Sequence, residues 1–191
     1  MGVTELPQNR IEISSTELRD AARSLRCGDR IDLTGTVYTA RDAAHMKLMA
    51  LLDSGGELPF ELNGSIIYYA GPTPTPPGAV IGSCGPTTSG RMDAFSPRLY
   101  DLGLIATIGK GERSKSVVDA IVRNGALYLC AVGGAGALIS QRITGAQEIA
   151  FPELGCESVK RLTVDHLPLY VGVDCSGGDI FTNRKRYCIT S

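Results

Sequence analysis

Between Val80 and Ser140, apolar runs alternate with helical stretches, and that order constrains the fold more than any other feature of the chain. Ala79-Val80-Ile81, Leu104 to Ile108 and Ala126 to Val132 each read as a short strand ending near a glycine-bounded turn. Helical spacing follows each one: Phe95, Leu99 and Leu102, then Val117, Val118, Ile121 and Val122, then a short stretch to Ser140. Strands joined by helices run parallel, with right-handed crossovers. The order predicts an α/β fold with a parallel-strand core. Parallel strands share one C-terminal edge, where ligands bind. The turns at Gly85, Gly109-Lys110-Gly111 and Gly133-Gly134-Ala135-Gly136 should meet there.

The flanking segments fill out the picture. Ser14-Ser15-Thr16-Glu17 reads as a capping box before a helix carrying Leu18, Ala21, Ala22 and Leu25, which Gly28 ends. Arg30 to Tyr38 alternates as a strand does. Thr39-Ala40-Arg41-Asp42 reads as a second capping box, opening a helix with Ala44, Leu48, Leu51 and Leu52 on its inner face, closed by Gly55-Gly56. Ser65 to Ala70 is a short strand. Gly71 to Gly78 holds four prolines, which cannot join a ladder, so it is a stiff surface spacer. From Gln147 onward, strand patterns at Ser158 to Val164 and Leu169 to Val173 suggest a flanking β layer. No repeat or boundary divides the chain, so residues 1–191 read as one domain.

Composition removes several function classes. A net charge of -1 over 191 residues leaves no strongly basic face for nucleic acid, and Arg184-Lys185-Arg186 reads as a solvated terminal run. No segment approaches the roughly 20 apolar residues of a membrane span. Met1 to Arg10 has no apolar core that could direct export, so a cytoplasmic location is expected. The six cysteines, Cys27, Cys84, Cys130, Cys156, Cys175 and Cys188, form no C-x-x-C pair. They signal no metal site and read as reduced, mostly buried thiols.

The chemistry concentrates in Gly85-Pro86-Thr87-Thr88-Ser89-Gly90-Arg91-Met92-Asp93. A strand, a glycine turn and a helix start aim bare N–H groups and a positive dipole end at one point. Thr87, Thr88 and Arg91 add two hydroxyls and a guanidinium, a set suited to a carboxylate or a phosphate. A nucleotide-binding loop would need Lys followed by Ser or Thr. Arg91 and Met92 stand in those places, and the arginine fork matches a carboxylate. Lys110, flanked by glycines, is either a ligand-facing ammonium or a surface lysine in a turn. Arg41, in the first turn of its helix, opposes the dipole and calls for an anion, either Asp42 or a ligand. His45 lies one turn further and is a packing residue or an acid–base group. His166 carries no signal, and Asp93 is most simply a cap. Arg41, Thr87, Thr88, Arg91 and Lys110 thus make a clamp without an evident base, nucleophile or metal.

These residues resemble a known family. The Gly85–Asp93 run, Ile108-Gly109-Lys110-Gly111, and Arg41-Asp42-Ala43-Ala44-His45 with Lys47-Leu48 are similar to the β subunit of class I fumarate hydratases. The same unit is the C-terminal half of single-chain members and is shared with the L-tartrate dehydratase β subunit. The resemblance covers about Val3 to Phe181. It implies a swivelling β/β/α domain and a hydro-lyase whose [4Fe–4S] cluster sits in a separate α subunit, with no cofactor or metal in this chain. It further implies that Arg41, Thr88, Arg91 and Lys110 bind substrate carboxylates. Thr87, and with it Lys110, take the catalytic positions, opposite a carboxylate base from the α subunit. Alone, the chain would present its α-facing surface to a second copy.

Hydration of a dicarboxylate double bond builds negative charge onto a carboxylate, so cations aimed there lower the barrier. Ser89-Gly90-Arg91-Met92-Asp93 favours fumarate over tartrate, whose dehydratases carry a bulkier residue at the Gly90 position and Glu in place of Asp93. L-Tartrate, a methylated fumarate, a non-catalytic anion-binding module and a nucleotide-binding protein remain the alternatives.

Overall fold

In the computed structural model, which describes residues 10–182, five strands close on themselves. The strands are β1 (Arg10–Ser14), β2 (Arg30–Thr39), β3 (Ile66–Tyr68), β4 (Ala106–Gly109), β5 (Leu127–Cys130), β6 (Ile143–Ala150) and β7 (Val159–Val173). The helices are α1 (Leu18–Ala21), α2 (Asp42–Ser54), α3 (Ser96–Asp101), α4 (Lys115–Asn124) and α5 (Gly136–Ser140). The order β1-β2-β3-β4-β5-β7-β6, with an added β2–β7 pairing, turns β2, β3, β4, β5 and β7 into a ring. β1 through β5 pair in parallel, as the alternating sequence order requires. β7 closes the ring antiparallel to both β5 and β2, and β6 pairs with it on the outside.

Period-two alternation sorts the side chains onto two faces. Ile31, Leu33, Ile66, Tyr68, Ile108, Leu129, Leu162 and Leu169 join one buried cluster drawn from all five ring strands, together with Leu18 and Leu25. Their neighbours Ile67, Tyr69, Tyr128, Val159 and Val173 face the other way, against Ala44, Leu48, Leu99, Val117 and Ile121 of the helices. Each fully buried leucine or isoleucine there contributes roughly 1.5–3 kcal/mol.

Several local expectations are corrected. Ala79-Val80-Ile81 forms no strand: Val80 is exposed, and the strand preceding the Gly85 turn is β3. The turn opens only a single 3-10 turn over Ser89–Met92, and α3 begins later, with a proline in its first turn. Neither capping box forms. Ser14 ends β1 and Glu17 precedes the four-residue α1, while Thr39 ends β2, buried. The Thr39 hydroxyl instead accepts the Lys160 N–H at 3.0 Å, tying β2 to β7. The two late strand patterns are one continuous β7, kinked where His166 takes φ 49°, and β6 precedes them. Gly55 caps α2 with φ 71°, as expected of a glycine after the last turn.

The fold is thus mixed α/β with a parallel core. The proline-rich segment lies on the surface, without strand structure. Arg184-Lys185-Arg186, Cys188 and the first nine residues lie outside the described residues. No helix among the described residues is long and apolar enough to cross a membrane.

Candidate functional site

The three glycine turns do meet at one edge. Cys84 N–H donates to the Gly136 carbonyl at 3.1 Å, and a Cβ at Gly85 would sit 3.4 Å from Gly136 Cα. Thr88 and Lys110 form a parallel bridge, with Ser89 N–H on the Lys110 carbonyl at 2.9 Å and Lys110 N–H on the Thr87 carbonyl at 3.2 Å. A Cβ at Gly133 would lie 3.4 Å from Lys110 Cδ and 3.8 Å from its Nζ. A methyl there would make ordinary van der Waals contact with the lysine stem.

Two amides of the Gly85 turn are not bare. Thr87 N–H donates to the Tyr69 carbonyl at 2.7 Å, and Ser89 N–H is spent on Lys110. With only one 3-10 turn behind them, the expected dipole contribution is lost as well.

The candidate side chains gather around Asp42, the first residue of α2. Arg91 Nε lies 2.9 Å from Asp42 Oδ1, and Arg41 Nε lies 3.9 Å from Asp42 Oδ2. Arg41 is the N-cap residue rather than a first-turn residue, with φ -118° and no side-chain cap bond. Its Nη2 is 3.4 Å from Glu157 Oε1. Both expected arginines therefore converge, and the Thr88–Lys110 bridge brings Lys110 to the same edge. Lys110 is half-buried, and its ammonium has no ion-pair partner among the described residues. Thr87 is half-buried and Thr88 exposed. The arrangement is an open face: the Arg91 side chain is 49% exposed.

His45 is fully buried behind this face. Its Nδ1 lies 2.9 Å from the Arg41 carbonyl, which also accepts the His45 N–H at 2.8 Å. A carbonyl can only accept, so Nδ1 carries the proton and Nε2 is a bare lone pair, buried without a partner. Burial first, and the nearby Arg113 charge, push the imidazole down to about 4 despite the Arg41 carbonyl. It is neutral at physiological pH and props the residue carrying the Arg41 guanidinium.

Asp93 caps a helix, but not its own. Its Oδ2 accepts the Ser114 N–H at 2.6 Å, at the start of α4, and Arg113 Nε donates to Oδ1 at 2.7 Å. Arg113 is buried and also donates to Thr107 Oγ1 and Ser96 Oγ, with its guanidinium 4.9 Å from the Tyr128 ring centroid. Tyr128 OH in turn meets Ser89 Oγ at 2.9 Å and donates to the Gly111 carbonyl at 2.8 Å. This network fixes the Gly85 turn against the Lys110 turn. Sequence reading missed Arg113, Tyr128 and Glu157, because nothing in their neighbourhoods signals partners so distant along the chain.

Among the described residues no three His, Cys, Asp or Glu side chains converge to hold a metal, and the five described cysteines are free thiols. Burial pushes Cys84 up to about 12 and Cys130 up to about 11, so both act as small apolar groups rather than thiolate ligands. The described residues therefore do not fit an iron–sulfur cluster.

The closed parallel-core sheet, with Arg41, Arg91 and Lys110 at one edge, defines a mixed α/β fold. The chain belongs to the fumarase C-terminus family, whose model matches residues 3–184. It is 43% identical over 154 residues to the class I anaerobic fumarate hydratase of Escherichia coli, covering 80% of this chain and 28% of that enzyme. It is 39% identical over 173 residues to a putative L(+)-tartrate dehydratase subunit beta of Methanocaldococcus jannaschii, covering 86% of this chain and 89% of that protein. The L(+)-tartrate dehydratase subunit beta of Escherichia coli is 31% identical over 179 residues, covering 91% and 86% respectively. The chain thus spans just over a quarter of the fumarate hydratases it matches and nearly all of the tartrate dehydratase β subunits.

Proposed function

We propose that this chain is the β subunit of a two-subunit hydro-lyase that reversibly hydrates fumarate to L-malate. The observation that carries the reading is the gathering of Arg41 and Arg91 about Asp42, at the edge that also bears Lys110. Three cations at an open rim match a small dicarboxylate better than a monoanion. In this reading the iron–sulfur chemistry belongs to an α subunit.

In this account Arg41 and Arg91 grip the substrate carboxylates through paired N–H donors, which fixes the double bond relative to the partner's groups. Lys110, with no ion-pair partner among the described residues, faces the carboxylate on which charge develops, where a cation stabilises the transition state more than the ground state. Thr88 binds alongside. Thr87 presents its hydroxyl beside the reacting carbon, on the face opposite a base supplied by the α subunit, and gives or takes the proton there. The Thr87 carbonyl accepts the Lys110 N–H at 3.2 Å, so the two residues sit side by side at this edge.

L-Tartrate is the second reading, favoured by the end-to-end match to tartrate dehydratase β subunits. Of the two positions that separate the substrates in sequence, Asp93 is committed to Arg113 and α4 and does not face a ligand. Gly90 does lie at the exposed rim, where a Cβ would meet nothing nearer than the Glu112 carbonyl at 3.8 Å. Substrate choice would act through residue 90. Co-expression with an iron–sulfur α subunit, followed by parallel assay of fumarate, L-tartrate and mesaconate, tests the reading. Fumarate should be turned over fastest, and turnover of L-tartrate alone would replace it.

A further inference from the structure

Glu157 approaches the same edge from the connection between β6 and β7. Phe151, at the start of that connection, adopts φ 56° and ψ 52°, a left-handed backbone that is strained for a non-glycine residue. The loop is tied down in that shape. Lys47 Nζ lies 2.7 Å from Glu153 Oε1 and 5.3 Å from the Phe151 ring centroid, and Lys160 Nζ donates to the Gly155 carbonyl at 3.1 Å. The segment is thus fastened against α2 with Glu157 at its end.

The Glu157 carboxylate has two contacts there. Oε2 accepts the Ala43 N–H at 3.2 Å, an amide at the α2 N-terminus that the N-cap side chain leaves uncapped. Oε1 lies 3.4 Å from Arg41 Nη2. That contact is long for a hydrogen bond to a guanidinium, and Arg41 Nε is buried without any partner. Asp42 Oδ2, 3.9 Å away, is likewise buried and unpartnered. Arg41 is therefore neutralised in charge but short of hydrogen bonds, the condition in which a better-placed carboxylate can take it over.

We propose that Glu157 is an internal stand-in for a ligand carboxylate, competing for Arg41 and thereby setting the affinity and charge selectivity of the site. The inference rests on the dicarboxylate reading above. An arriving carboxylate must take the place of Oε1 to make two parallel bonds with the guanidinium, while Oε2 stays on Ala43. The exchange replaces one ion pair with another and leaves two carboxylates close together. Their repulsion weakens binding, and more so as the charge of the ligand rises.

Glu157→Gln keeps an oxygen for Ala43 N–H and removes the charge. Partly exposed ion pairs are worth up to about 1 kcal/mol, or roughly fivefold in affinity. In the chain co-expressed with its α subunit, Glu157→Gln should lower KM for fumarate about threefold to fivefold. It should tighten inhibition by citrate more than by succinate. An unchanged or raised KM overturns the proposal. A second arm titrates succinate into the β chain alone, followed by amide NMR shifts, and holds even if no dicarboxylate is turned over, an outcome that sinks only the functional reading. Tighter succinate binding by Glu157→Gln than by wild type supports the proposal, and equal affinity, or binding to neither, overturns it. Glu157→Asp keeps the charge but draws it back from Arg41, and should tighten binding less than Glu157→Gln in both arms.

Discussion

Arg91 Nε stands 2.9 Å from Asp42 Oδ1, so a guanidinium from the Gly85 turn is fastened to the first residue of α2. Asp42 also faces Arg41, which makes one carboxylate the hinge between the two arginines of the candidate clamp. Lysine at position 91 would keep a charge but lose the planar fork. For Arg91→Lys we expect a rise of about tenfold in KM for a dicarboxylate, equivalent to ~1.4 kcal/mol. The stability change should stay within about 0.5 kcal/mol, because the side chain is half-exposed. Steady-state kinetics of the reconstituted enzyme check the first, and chemical denaturation the second.

Gly109 is required for space. A Cβ there would lie 2.0 Å from Ser89 Oγ and 3.0 Å from Tyr69 Cδ2. Gly109→Ala must push the Ser89 turn away from β4, at a cost of about 1–3 kcal/mol. Loss of both unfolding midpoint and dicarboxylate affinity is the expected result. Gly134→Ala, with φ 82° but nothing within 4 Å, should cost backbone strain alone and leave the Ser89 turn in place.

Asp93 is expected to be structural. Its partner Arg113 is fully buried at the side chain, and removing one member of such a pair typically costs about 3–5 kcal/mol. Asp93→Ala also deprives the Ser114 N–H of its acceptor. Thermal unfolding should therefore fall steeply, while the fraction that remains folded keeps its KM. A selective rise in KM at unchanged stability would place Asp93 among the ligand contacts instead.

The parallel core was legible because alternation and glycine turns act locally: β3 and β5 lie within the stretches that pattern assigned, and β4 overlaps its stretch but ends one residue later, at Gly109. The edge where the turns meet followed from the same pattern. The closure by β7 was not legible, because pairing with β2 depends on contacts over more than a hundred residues, as between Arg30 and Tyr170, and on a kink at His166 that no propensity announces. Side-chain roles divided the same way. Arg41, Arg91 and Lys110 announced themselves by unusual settings, an arginine at a helix start and a lysine between glycines. Asp42 is legible as a candidate counter-ion for Arg41, but its bridge to Arg91 needs the tertiary fold. Arg113 reaches Tyr128, Ser96 and Asp93 through burial, which composition cannot show.

Stability should depend on pH through His45. Its folded value of about 4 lies below the ordinary 6.5, so between those values the unfolded chain binds a proton that the folded chain does not. Stability from this group is complete above about pH 6.5 and is lost as pH falls toward 4, by about 3 kcal/mol in all. His45→Asn keeps a donor for the Arg41 carbonyl and does not titrate. Denaturation midpoints across that window should slope for wild type and be flatter for the variant.

The most direct measurement follows fumarate hydration by the purified chain alone and after mixing with an iron–sulfur α subunit. No turnover is expected from the chain alone, and robust turnover after mixing, abolished by Thr87→Ala or Lys110→Ala. Hydration by the isolated, iron-free chain, or full activity of both variants in the mixture, would contradict the assignment of this edge as one half of a shared active site.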